Sequence, residues 1–68
     1  MKFTIELDRE VDGRWIADIP ALNVLLYEDS KEDALEKVRR AALEIIQDRI
    51  RNGELPQEAA NPLFAVAA

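Results

Sequence analysis

The chain has 68 residues, neither cysteine nor histidine, and a net charge of −5. That inventory excludes disulfides, thiolate metal sites and every histidine-based ligand or general base. A chain this short buries only ~60% of its unfolded surface, so oligomerisation is the support left to it, and a dimer or higher oligomer is expected.

Hydrophobic residues at 49% and charged residues at 34% place the chain with folded soluble domains rather than disordered ones. Without cysteine, and with an alternating start at Met1-Lys2-Phe3-Thr4 instead of a signal peptide, a cytoplasmic protein is expected. No apolar run approaches the ~20 residues that span a bilayer, so no membrane role is expected. Residues 1–30 hold seven acids against three bases, and residues 31–68 hold seven against six. A field of that sign repels phosphate backbones and steers toward a basic partner, or simply keeps the protein soluble.

Phe3, Ile5 and Leu7 alternate with Thr4, Glu6 and Asp8, the period of a half-buried strand. Asp12-Gly13 then predicts a turn, because both residues tolerate positive φ. Trp15, Ala17 and Ile19 form the second arm, which Pro20 ends because it lacks an amide donor. Val24-Leu25-Leu26-Tyr27 predicts a third strand. Apolar residues at every position of it imply cover on both faces or along its edge, and in so small a domain the second cover points to another chain.

Ser30 opens the one long helix, with Asp33 in the position of a capping-box acid and Glu32 beside it at the positive helix end. From Lys31 to about Arg51, the residues Leu35, Val38, Ala42, Ile45, Ile46 and Ile50 make one apolar stripe. Asp33 and Lys37 stand four apart on the outer face, as do Glu36 and Arg40. Arg49 and Arg51 suit the negative end, and Gly53 is the expected left-handed stop. Glu54 to Pro62 reads as a loop, and Leu63 to Ala67 as a last short strand. The order β-β-β-α-β predicts one α+β domain over residues 1–68. Its sheet order is 3-2-1-4, with the helix on one face and the fourth strand parallel to the first.

That order resembles part of a ribonuclease-H-like sheet, whose nucleases set acids on the first strand, the helix and the fourth strand. Glu6 or Asp8 fits the first position and Glu36 or Glu44 the second. The fourth strand carries no acid, so two-metal cleavage is not expected, and neither is any cofactor. Ser30, the only serine, has no adjacent base to make it a nucleophile, and capping accounts for it. Lys37, Arg39, Arg40, Arg49 and Arg51 are interleaved with Glu36, Glu44 and Asp48, which reads as a solvated helix face rather than a nucleic-acid patch. No DNA-binding element is expected to follow the domain, and direct operator contact by it is not expected. Trp15 reads as core, and Tyr27 equally as core or as an interface anchor.

The opening strand, the Asp12-Gly13 turn, Trp15-Ile16-Ala17-Asp18-Ile19-Pro20, Leu22 and then Asp29-Ser30-Lys31-Glu32-Asp33-Ala34-Leu35 together resemble the HicB-like antitoxins across nearly the whole chain. The family typically shows Pro-Gly after the leucine, where this chain has Asn23-Val24, and a glycine before the cap, where it has Glu28. The resemblance implies a non-catalytic domain that binds a small basic HicA-like RNA-cleaving toxin and covers its active site. It supplies no catalytic residues. The alternative is an oligomerisation or structural module with no toxin partner. The residues expected to carry partner binding or self-association are Leu25, Tyr27, Glu28, Asp29, Phe64 and Val66, on or beside the two edge strands.

Overall fold

The computed structural model describes residues 1–67. Strand β1 (Lys2–Arg9) turns into β2 (Trp15–Ile19), and β3 (Val24–Glu28) precedes the single helix α1 (Lys31–Arg51) and β4 (Leu63–Ala67). Short 3-10 turns at Pro20–Leu22 and Gln57–Ala60 join these elements. The four strands form one sheet in the order β3-β2-β1-β4, antiparallel except where β4 runs parallel to β1. The predicted architecture is the observed one.

The first hairpin is held by its turn chemistry. Gly13 takes φ +92°, and its amide donates to the Glu10 carbonyl at 2.9 Å. The Asp12 carboxylate accepts from the Arg14 amide at 3.0 Å and from its guanidinium at 2.8 Å. The Arg14 amide first, and then its guanidinium, hold the Asp12 carboxyl below its ordinary range. That contribution is present above the ordinary aspartate range and is lost as pH falls through the lowered value.

Alternation along β1 and β2 sends Phe3, Ile5, Leu7, Ala17 and Ile19 to the helix side, where all are buried. Against them α1 presents Ala34, Val38, Ala42 and Ile46. The centre of the stripe is therefore Ala34, not Leu35, which sits half-buried at its flank with Ile45 and Ile50. Small residues on the central line let the helix axis come close to the sheet, so the larger neighbours pack around its sides. Trp15, expected in the core, is only partly buried. It packs at the margin with the Arg9 guanidinium 5.3 Å from its ring centre.

Two core residues lie in the connections. Leu22, in the turn after Pro20, is 2% exposed, and Ala59, inside the segment read as a loop, is fully buried. Asn23 makes the first connection possible by taking φ 56° and ψ 42°, a left-handed conformation that asparagine tolerates.

Both helix ends are closed. The Asp33 amide donates to the Ser30 hydroxyl at 3.1 Å. The return bond of a capping box is not formed among the described residues, because an aspartate is one methylene shorter than the glutamate that makes it. At the other end Gly53 has φ +75°, and its amide reaches the Ile50 carbonyl at 3.1 Å while that of Glu54 reaches Arg49 at 2.7 Å. These two bonds are a Schellman stop. Replacing Ser30 with alanine is expected to cost about 0.5–2 kcal/mol of stability in a denaturant titration while leaving partner affinity unchanged.

Candidate binding surface

One helix covers one sheet face, so the other face of the sheet is open. Register fixes which side chains meet there. One row runs Ala67, Glu6, Asp18 and Leu25 from β4 to β3, and the next runs Asp8, Ile16 and Tyr27. Lys2 and Thr4 on β1, with Leu63 and Ala65 on β4, complete the face. The acids thus occupy its centre, and apolar groups occupy both sides.

Three carboxylates, Glu6, Asp8 and Asp18, line a shallow hollow of about 350 Å³ together with Ile16 and Ala67. Glu6 and Asp18 are direct cross-strand partners. Like charges in that position work against pairing, by roughly 0.2–1 kcal/mol in exposed sheets. Among the described residues no ion pair engages any of the three; Arg14, in the hairpin turn, is paired with Asp12 instead. Leu25 at 52% exposed and Tyr27 at 43% form the β3 side, with the Arg14 guanidinium 4.8 Å from the Tyr27 ring centre. Leu63, 69% exposed, lies at the β4 side.

The six residues expected to carry binding fall into separate groups. Leu25 and Tyr27 share the open face, whereas Glu28 points to the helix side and binds the Lys37 ammonium at 2.9 Å. Lys37 therefore pairs with Glu28 across to β3, not with Asp33 as the helix spacing predicts. That hydrogen bond, reinforced by the Glu28 charge, raises the Lys37 pKa. The contribution is complete below the ordinary lysine range and is lost as pH rises through the raised value. Glu36 and Arg40 do form their expected pair, at 2.8 Å. Asp29 is exposed in the bend before the helix. Phe64 and Val66 lie on the helix side of the opposite edge, where the Phe64 ring packs 6.2 Å from that of Phe3. These six residues do not make one site.

Glu6, Asp8 and Asp18 make the more coherent patch. The sequence points to Glu6 and Asp8 as candidate metal acids, but not to Asp18. Their nuclease partners Glu36 and Glu44 stand exposed on α1, across the sheet from Glu6 and Asp8, so the helix and strand acids do not converge. Among the described residues no group of three or more acids is arranged to hold a metal ion, and no helix is long and apolar enough to cross a membrane. Compared with models of known protein families, with curated proteins and with solved structures, the chain matches none.

Proposed function

We propose that this chain is a non-catalytic, cytoplasmic protein-binding domain of the HicB-like antitoxin kind. On this reading it lays its open sheet face on a small basic HicA-like RNA-cleaving toxin and blocks the toxin's active site. The observation that carries the reading is the acidic centre of that face, Glu6, Asp8 and Asp18, bounded by Leu25, Tyr27 and Leu63. A cationic partner would relieve the repulsion between Glu6 and Asp18, and the apolar margins would supply the desolvated anchors that most interface energy needs. The turn where the family places Pro-Gly is built here by left-handed Asn23, so the departure in sequence leaves a tight turn in place.

The test uses a short basic protein encoded beside this chain, purified and titrated with it. Stoichiometric loss of the partner's RNA cleavage is expected, with affinity falling as salt rises because the contact is charge-led. This chain alone is expected to cleave no RNA, with or without divalent metal. Unabated cleavage by the saturated partner, or metal-dependent cleavage by this chain lost in Asp8→Ala, overturns the reading.

A further inference from the structure

We infer that β4 is a self-pairing edge. Two copies join antiparallel along Phe64 to Val66, with a twofold axis between their Ala65 residues, into one continuous sheet.

The two sheet edges are not alike. Strand β3 ends in Glu28, Asp29 follows it directly, and the Arg14 side chain lies against its Tyr27, so charge guards that edge. Strand β4 reads Leu-Phe-Ala-Val-Ala without a charge or an internal proline. Helix α1 packs over β2 and β3 and leaves β4 at the margin, with Val66 45% exposed although it faces the helix side. An uncharged edge with exposed apolar groups is what a second strand covers.

Charge selects a copy of this chain at the edge rather than on the open face. Face-to-face stacking of two copies would bring Glu6, Asp8 and Asp18 against themselves. Edge pairing leaves those acids apart and adds no charge to the contact.

Backbone direction then fixes the register. The Leu63 amide donates to the Met1 carbonyl at 3.0 Å, so Leu63 turns its peptide groups toward β1. Successive residues of a strand alternate, so Ala65 turns inward as well, while Phe64 and Val66 turn their N–H and C=O groups outward. Among the described residues, an antiparallel copy uses all of these groups only when Phe64 faces Val66 of the second copy and Val66 faces its Phe64. Centring the pair on Phe64 instead would set Pro62, which has no N–H, opposite Val66. In the inferred register Phe64 covers Val66 across the junction on the helix side. Ala65 meets its own copy in the non-hydrogen-bonded position, where Cα atoms lie ~4.5 Å apart, close enough for a disulfide. Both helices stand on the same side of the joined sheet, over strands remote from the axis. The acidic face of each copy stays open, so this inference is independent of the proposed function.

The cysteine-free chain gives a clean test. Under mild oxidation, Ala65→Cys is expected to convert to a covalent dimer, whereas Leu25→Cys, exposed on the other edge strand, is expected to stay largely monomeric. Val66→Pro removes an outward N–H that the chain's own sheet does not use. It should halve the sedimenting mass at micromolar concentration while keeping the circular dichroism of the parent. A parent chain that sediments as a monomer up to millimolar concentration overturns the inference. So does Ala65→Cys cross-linking no faster than Leu25→Cys, a comparison that stands even if Val66→Pro does not fold.

Discussion

Replacing Ile5 with alanine is expected to remove most of the stability of the domain, with a loss of about 2–5 kcal/mol. Ile5 is completely buried at the middle of β1, a central strand of the sheet, in the same core cluster as Val38 and Ala42 of the helix. Truncation removes three methyl or methylene carbons from water-free contact and leaves a cavity between sheet and helix that neither can close without breaking its own hydrogen bonds. Alanine also fits a central strand less well than isoleucine, which adds to the cost. A domain of this size commonly holds only about 0.05–0.15 kcal/mol per residue, so one such change takes much of the whole. Thermal melting should fall by more than ~10 °C. Leu43→Ala, at an exposed position on α1, serves as the comparison and should melt within a few degrees of the parent. Equal losses at both positions would mean that the core is not where burial places it.

Replacing Glu6 with lysine is expected to move stability and binding in opposite directions. The change turns a like-charged cross-strand pair into an opposite-charged one with Asp18, so the free domain should gain up to about 1 kcal/mol. It also takes two units of negative charge from the centre of the open face. If that face receives a basic protein, affinity should drop more than tenfold, chiefly because the variant now repels the group that Glu6 attracts. Melting and a binding titration with the neighbouring basic protein, on the same variant, read the two effects separately. A variant that gains stability and binds as before would remove the open face from the proposed contact. A residue that weakens the fold and strengthens binding is the pattern of a functional site, since natural sequences relax local consistency where they work.

The elements were legible because each carried its own local signal. Alternation marked β1 and β2, Ser30 and Gly53 bounded the helix, and the order of elements left few topologies. What escaped was set by tertiary geometry. Ala34 lies on the central line of the helix because of how closely α1 approaches the sheet, and side-chain size alone points to Leu35 instead. Leu22 and Ala59 lie in short segments between turn formers, where no period exists to reveal a buried face. Lys37 pairs with Glu28 rather than Asp33 because the start of α1 lies beside the end of β3, a proximity that helix spacing does not contain. The acidic patch is the same kind of case. Glu6 and Asp8 show their common face by alternation, but their meeting with Asp18 depends on hairpin register.

The parallel pairing of β4 with β1 bears on the order in which the chain assembles. Strands β1, β2 and β3 are joined by short connections, and α1 follows directly, so their contacts close small loops. Bringing Phe64 to Phe3 closes a loop that contains nearly the whole chain, and that entropy is lost before the pairing returns anything. Strand β4 is therefore expected to dock late, onto a sheet and helix already in place, and to be the first strand to lift away. Until it docks, Phe3 and Ile5 have an open edge beside them, and an encounter between chains at that moment can seat one copy's β4 on the other's β1.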